Sequence, residues 1–105
     1  YNSVTSAAKL AVNSLYKLER SKKIIVFDEF LELGIKSREE HIAFTELLNK
    51  KVTGAYFLPS SQQNLLTKYF TGDKYTSTEE LRSNIDADTV VLFEGRKSQT
   101  ILNQL

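Results

Sequence analysis

Hydrophobic residues follow two spacings along this chain, and the alternation between them predicts the order of its elements. The unbroken apolar run at 24–27 is typical of a strand buried on both faces, and further strands are expected at 55–58, around Tyr75 and at 89–93. Between these strands, apolar residues recur every three to four positions, as one face of a helix requires. Helices are expected over 6–20, from Ser37, from Ser60, from Ser77 and over 98–105.

Three of the predicted helices carry a capping box at their start. In this pattern a serine side chain accepts a hydrogen bond from the backbone N–H three residues later. A Glu or Gln at that later position accepts in turn from the backbone N–H of the serine. The pairs are Ser37 with Glu40, Ser60 with Gln63, and Ser77 with Glu80. The first helix has no such pair, and Thr5 or Ser6 is expected to cap it.

The order of helices and strands predicts the fold class. Alternation of this kind is typical of a Rossmann-like α/β fold, an open, mostly parallel sheet with helices on both faces. Residues 1–105 are expected to form a single domain, because no linker, repeat or low-complexity stretch interrupts the pattern. Ligands of such sheets bind beyond the carboxyl ends of the strands. Here those ends carry Asp28-Glu29, Leu58-Pro59-Ser60 and Glu94-Gly95-Arg96-Lys97.

Composition excludes several classes of function. The 14 basic and 13 acidic residues give a net charge of +1, which is too balanced to predict a nucleic-acid-binding protein. The chain has no cysteine, so a disulfide framework, a thiolate metal site and a cysteine nucleophile are all excluded. No apolar run reaches the roughly 18 residues of a membrane span and no leader is present, so a cytoplasmic location is expected. Because the sequence starts at Tyr1 and lacks methionine, we expect a piece of a longer protein.

Charged residues cluster after the first and the last strand. The carboxylates of Asp28, Glu29 and Glu32 could hold Mg²⁺ or an ammonium group, or could lie in a solvated turn. The turn after the last strand combines a glycine with Arg96 and Lys97, and it could hold a phosphate or a carboxylate or be an ordinary solvated loop. The residues alone leave both alternatives open.

Neither a catalytic set nor a metal site can be assembled from this sequence. His41 is the only histidine and has no cysteine, serine or second histidine as a partner, so we expect it to make structural hydrogen bonds near the start of the helix at Ser37. The full P-loop pattern is missing, as are a nucleophile–base pair and a metal-ligand spacing. We therefore assign no catalytic residue and no metal ligand.

Three segments, taken in order, resemble the C-terminal domain of the Mur ligases. The opening segment 1–8 resembles Y-N-A-N-P-x-S followed by an alanine-rich helix. Residues 28–41 resemble G-D-M-L-E-L-G-x-x-S-x-x-x-H, with Ser37 and His41 at the matching spacing, and residues 94–97 take the place of K-G-S-R. The chain is most similar to the branch of the family that adds D-alanyl-D-alanine.

The resemblance implies the third domain of a three-domain, ATP-dependent amide ligase of peptidoglycan precursor synthesis. In such an enzyme the first domain binds the UDP-sugar, and the central domain carries the P-loop and most contacts to ATP and Mg²⁺. ATP phosphorylates the terminal carboxylate of a UDP-MurNAc-peptide, and the amine of an incoming amino acid or dipeptide attacks the acyl phosphate. The third domain alone is therefore expected to be an inactive monomer.

The resemblance also implies roles for individual residues. Tyr1 and Asn2, from the opening motif, would lie near the nucleotide. Contacts to the incoming substrate would come from the strand ends, where Glu29 takes the place of the family's aspartate and Lys97 that of its arginine. The substrate-binding residues implied in this way are Glu29, Glu32, Arg96 and Lys97.

Four positions depart from the family's pattern. Val4, Thr5, Asp28 and Glu94 stand where the family has asparagine, proline, glycine and lysine. Val4 cannot hydrogen-bond adenine, and Glu94 reverses a charge where an anion would sit. These departures favour a second hypothesis, a divergent binding or regulatory module that retains the fold without catalysis. A third is a separate doubly wound enzyme or a receiver-like domain, although the receiver's complete phosphoacceptor pattern is missing.

Overall fold

The computed structural model describes residues 2–105, with side chains from Thr5 onward. Helices and strands alternate in the predicted order, and a 3-10 turn at Gly34–Lys36 precedes the second helix. The helices are α1 (Asn2–Tyr16), α2 (Ser37–Lys51), α3 (Gln63–Tyr69), α4 (Thr78–Ser83) and α5 (Ser98–Leu102). The strands are β1 (Lys22–Phe27), β2 (Gly54–Phe57), β3 (Asp73–Tyr75) and β4 (Thr89–Glu94).

The four described strands form one parallel sheet in the order β3-β2-β1-β4. The chain moves outward from β1 to β3 and then returns to the opposite side of β1 for β4. Right-handed crossovers consequently place α2 and α3 on one face and α4 on the other. The predicted fold class is confirmed, and the point where the strand order reverses lies between β1 and β4.

Strand β1 forms the centre of the core. Its residues Ile24–Phe27 have no exposed surface, which confirms the prediction from the unbroken apolar run. Ile25 and Phe27 pack against α1, α2 and α3, whereas Ile24 and Val26 pack against α4 and α5. Burying a side chain of this size contributes about 1.5–3 kcal/mol, so the two-faced packing of β1 fixes the position of the residues that follow it.

The boundaries of the first and the last helix differ from the predictions. The first helix covers Asn2–Tyr16 rather than 6–20, and Thr5 is buried within it instead of capping its start. Leu18 continues the helical spacing of apolar residues, but it lies in a turn after α1 with 48% of its surface exposed. The last helix ends at Leu102 rather than 105. The spacing of apolar residues indicates that a helix is present. It does not show where the helix ends, because that depends on where packing against the sheet stops.

The capping box is confirmed at the start of α4. Ser77 is the N-cap residue, and its Oγ accepts a hydrogen bond from Glu80 N at 3.0 Å. The Glu80 side chain reaches back and accepts from Thr76 N at 2.7 Å. Local hydrogen bonds therefore define the start of this helix.

The other two capping predictions are wrong. The N-cap of α2 is Lys36, which makes no side-chain cap, and Ser37 Oγ lies instead between His41 Nδ1 and Gln62 Nε2, 3.3 Å from each. Helix α3 begins at Gln63, and Ser60 Oγ donates to the carbonyl oxygen of Asp28 and accepts from Gln62 N. Each hydroxyl therefore has other partners, which compete with a helix cap for the same oxygen.

Ser77→Ala is expected to lower the free energy of unfolding by about 1 kcal/mol, because it removes the acceptor for the orphan Glu80 N–H. Ser37→Ala is expected to cost less than half as much, since Ser37 caps no backbone group. Urea unfolding of both variants measures the difference. Ser77→Asp, which retains a capping oxygen, is the control and is expected to match wild type within about 0.5 kcal/mol. Equal losses in the two alanine variants would contradict this account of the helix starts.

Candidate functional site

The switch point between β1 and β4 brings two charged loops side by side. Phe27 and Glu94 are paired in the parallel register, so the residues that follow them leave the sheet together. Asp28 is 3% exposed, and its Oδ2 accepts a hydrogen bond from Lys97 N at 3.0 Å. The end of β1 is therefore joined directly to the loop that leads into α5.

Glycine is the only residue type that fits at position 95, beside Asp28. Its φ is +98°, in a region that L side chains rarely adopt, and an added Cβ would lie 1.6 Å from Asp28 Oδ1. This oxygen is buried without a hydrogen-bond partner among the described side chains. The hydrogen bond from Lys97 N to Asp28 Oδ2 joins these two loops, and glycine at 95 allows their close approach. We call these contacts the clamp.

The loop between β2 and α3 completes the site. Ser60 Oγ donates to the carbonyl oxygen of Asp28 at 3.1 Å, and Ser61 Oγ donates to Glu29 Oε1 at 2.7 Å. Lys97 Nζ donates to the carbonyl oxygen of Pro59 at 3.1 Å. One acidic and one basic side chain from different strand ends are therefore held by the same short loop. We call the surface formed at these strand ends by Glu29, Lys97 and residues 59–61 the crevice.

The structure brings together only some of the residues predicted to bind substrate. Glu29 is half-buried and Lys97 is exposed, and both contact the loop after β2. Glu32 and Arg96 are exposed and make no hydrogen bond or ion pair in the part of the chain whose side chains are described. Glu32 lies at a turn of the loop after β1, with φ at +61°. Tyr1 and the side chain of Asn2, predicted near the nucleotide, lie outside the described residues.

His41 connects helix α2 to the loop after β1. Its ring has no exposed surface, Nδ1 donates to the carbonyl oxygen of Ser37 at 2.7 Å, and Nε2 accepts from Phe30 N at 2.8 Å. These partners require the neutral tautomer with hydrogen on Nδ1, and burial lowers the pKa of His41. His41 therefore positions the segment that carries Glu29.

Aromatic packing also attaches the loop after β1 to the core. Phe30 contacts Phe27 and Phe44 with ring centroids 5.0 and 4.9 Å apart, and its centroid lies 5.3 Å from that of His41. Such pairs contribute about 0.5–1.5 kcal/mol beyond their buried area. The loop is thus attached to the core two residues after Asp28.

Glu94 occupies the position at which the family pattern has a lysine. It is the last residue of β4 and is half-buried, and burial raises the pKa of its carboxyl group. A buried carboxyl group at this point disfavours an anion directly above the end of β4. Positive charge near the crevice comes instead from Arg96 and Lys97.

The site has no arrangement that fits a metal ion. Among the side chains from Thr5 to Leu105, no group of three or more His, Asp or Glu residues is placed to hold one. Asp28 is committed to the clamp, and Glu29 to Ser61. These residues do not fit Mg²⁺ as a dedicated site, since this ion needs several oxygen ligands in near-octahedral geometry.

Sequence reasoning missed the hydroxyls of Ser60 and Ser61 and the clamp between Asp28 and Gly95. One signal was present in each case. Two serines follow the apolar run of β2 after a single proline, at the edge of a parallel sheet where ligands bind. A glycine directly follows the end of β4, which is typical of a point where two backbones approach closely.

Comparison with known proteins identifies a similar fold. No family model and no curated protein sequence matches the chain. Among solved structures, the chain is similar to the MurF ligase from Thermotoga maritima, whose crystal structure is in complex with ADP. The TM-score is 0.77 at 22% identity, and the similarity covers 94% of this chain and 25% of that one. The chain therefore shares a fold found in MurF ligase and spans about a quarter of that protein's length. None of the helices described in this chain is long and apolar enough to cross a membrane.

Proposed function

We propose that this chain is the C-terminal domain of a Mur-type, ATP-dependent amide ligase, and that it binds the incoming amine substrate. The observation that carries the proposal is the crevice, where Glu29 and Lys97 meet the same loop at the switch point of the sheet. Two further observations support it: the fold shared with MurF ligase, and the ordered resemblance of three segments to the family. The proposed location is the cytoplasm.

In the proposed complex, the substrate's two charged ends meet opposite charges in the crevice. The Lys97 ammonium binds the substrate carboxylate as a point charge, and Arg96 is close enough in sequence to add a guanidinium fork. Glu29 attracts the substrate's ammonium group before that group loses a proton. The free amine then attacks an acyl phosphate, its new C–N bond replaces the C–O bond to phosphate, and inorganic phosphate leaves.

The nucleotide chemistry is assigned to other domains of the proposed enzyme. The chain has no P-loop, and its buried Asp28 is committed to Lys97 N. ATP and Mg²⁺ would thus be held mainly by a central domain, and the 105-residue chain alone is expected to hydrolyse no ATP. We further propose D-alanyl-D-alanine as the incoming substrate and a UDP-MurNAc-peptide as the acceptor, in peptidoglycan precursor synthesis. The resemblance of three segments to the branch of the family that adds D-alanyl-D-alanine supports these identities.

Lys97→Ala is expected to raise KM for the incoming amino acid or dipeptide about 10- to 150-fold, the effect of losing one charge-assisted contact. KM for ATP is expected to change less than about twofold, because the nucleotide contacts lie elsewhere. Steady-state kinetics of the three-domain enzyme, with each substrate varied in turn, measures both constants.

Lys74→Ala is the matched control, since it removes another exposed cation, from β3 and away from the crevice. It is expected to change neither KM. If Lys97→Ala leaves the KM of the amine substrate unchanged, Lys97 does not bind that substrate. A complete lack of ligase activity in the three-domain protein would instead favour the second candidate function, a non-catalytic binding module. The half-buried Glu94 in place of the family's lysine is the observation that favours this candidate.

A further inference from the structure

A second groove lies beside the crevice, between the start of α2 and the outer side of α3. Its volume is about 360 Å³. The residues that line it are Arg38, Ser61, Gln62, Asn64, Leu65 and Lys68. We call it the α2–α3 groove. None of its lining residues belongs to the clamp between β1 and β4, and only Ser61 is shared with the crevice.

Two cations of the α2–α3 groove converge on one tyrosine. Arg38 Nη2 lies 3.5 Å from the hydroxyl of Tyr69, and Lys68 Nζ lies 5.5 Å from the centroid of the same ring. Neither cation forms an ion pair within residues 5–105. The groove therefore carries two positive charges that no acidic side chain neutralises by direct contact.

The remaining polar groups of the groove divide into committed and free donors. Gln62 Nε2 donates to Ser37 Oγ at 3.3 Å, and Ser61 Oγ donates to Glu29 Oε1 at 2.7 Å. The Asn64 side-chain amide is exposed and makes no hydrogen bond in the described part of the chain. Free donors thus come from the side chains of Asn64 and Lys68 and from the guanidinium N–H groups of Arg38 that do not reach Tyr69.

We propose that the α2–α3 groove binds the phosphate group of a small-molecule anion. A guanidinium fork, an ammonium and an amide approach from three side chains, and a phosphate offers three oxygens to them, whereas a carboxylate offers two. Glu29 lies at the rim through its bond to Ser61 and opposes the anion. Because both cations are exposed and this carboxylate is near, the dissociation constant is expected to be on the order of 1 mM.

This site is separate from the one assigned to the amine substrate. The crevice uses Lys97, which donates to Pro59 and does not line the α2–α3 groove. The inference therefore stands whether or not the chain belongs to an amide ligase.

Titration of the ¹⁵N-labelled chain with sodium pyrophosphate at constant ionic strength tests the proposal. Saturable amide shifts are expected at Ser61, Gln62, Asn64 and Lys68. Arg38→Gln and Lys68→Gln are each expected to weaken binding about three- to tenfold, since each removes one charged donor. Lys50→Gln is the matched control, because Lys50 is exposed on the same helix as Arg38 but about 18 Å further along it.

Three outcomes would overturn the proposal. Shifts that do not saturate, or that weaken equally in Lys50→Gln, would mean non-specific attraction to surface charge. Shifts centred on residues 95–97 and lost in Lys97→Gln would place the anion in the crevice. Citrate binding as tightly as pyrophosphate would show that the groove does not select phosphate. Unchanged dispersion of the remaining amide signals in each variant verifies that the variants are folded.

Discussion

Gly95→Ala is expected to lower the free energy of unfolding by about 3 kcal/mol or more. Alanine at a φ of +98° is strained, and its Cβ would lie 1.6 Å from a buried oxygen of Asp28. Relief requires movement of the backbone of β4 or of a carboxylate that is 3% exposed and bonded to Lys97 N. Urea unfolding monitored by circular dichroism measures the loss.

The control for this prediction is Gly34→Ala. Gly34 also has a positive φ, at +59°, but nothing lies within 4 Å of an added Cβ. Its substitution is therefore expected to cost only about 1–2 kcal/mol of backbone strain. Replacing Asp28 by alanine in the Gly95→Ala chain should recover part of the loss, because the two sites are coupled by direct contact. Equal losses of unfolding free energy in Gly95→Ala and Gly34→Ala would mean that the clamp contributes nothing to stability.

His41→Ala is expected to destabilise the chain by about 3 kcal/mol. The change leaves the buried N–H of Phe30 without its acceptor and opens a cavity beside the ring of Phe30. Glu46→Ala, an exposed position on the same helix, is expected to stay within about 0.5 kcal/mol of wild type. A loss at His41 as small as that at Glu46 would contradict the assigned hydrogen bonds.

The same histidine makes stability depend on pH. Burial lowers the pKa of His41 below its ordinary value of 6.5, so the unfolded chain binds a proton at a higher pH than the folded chain does. The contribution of His41 to stability is therefore fully present above about pH 6.5 and is lost as the pH drops through the window between that value and the lowered pKa. His41→Gln, which does not titrate, should show a shallower slope of unfolding free energy against pH in this window.

The fold could be predicted because its main signal is local. Residues 24–27 form an unbroken apolar run, which parallel strands need because both faces are covered, and these four residues are fully buried. Helix starts were less predictable. Ser37, Ser60 and Ser77 carry the same capping pattern, yet only Ser77 caps a helix. Each of the other two hydroxyls also bonds to a residue that is distant in sequence, Ser37 to Gln62 and Ser60 to Asp28, and no local pattern contains those partners.

The site was predictable as a region, whereas the roles of its side chains were not. The carboxyl ends of parallel strands lie at one edge of the sheet, so the residues after β1 and β4 were expected to be close. Asp28 and Lys97 are indeed joined by a hydrogen bond. The sequence treats Asp28, Glu29 and Glu32 as three equivalent carboxylates. In the structure the first is buried, the second is half-buried and the third is exposed. The difference arises because the loop turns at Glu32, where φ is +61°, and is fixed by the bond between Phe30 N and His41.

The loop of residues 59–61 gives the crevice a built-in competitor for any ligand. Glu29 and Lys97 are each already bonded to this loop, through Ser61 and Pro59. A ligand with one charged end must break one of these bonds to form its own, so only the difference in strength between the two bonds contributes to its affinity. A zwitterion of the right length replaces both bonds at once and loses translational freedom only once. The crevice is thus expected to discriminate by the number of charged ends as well as by their sign.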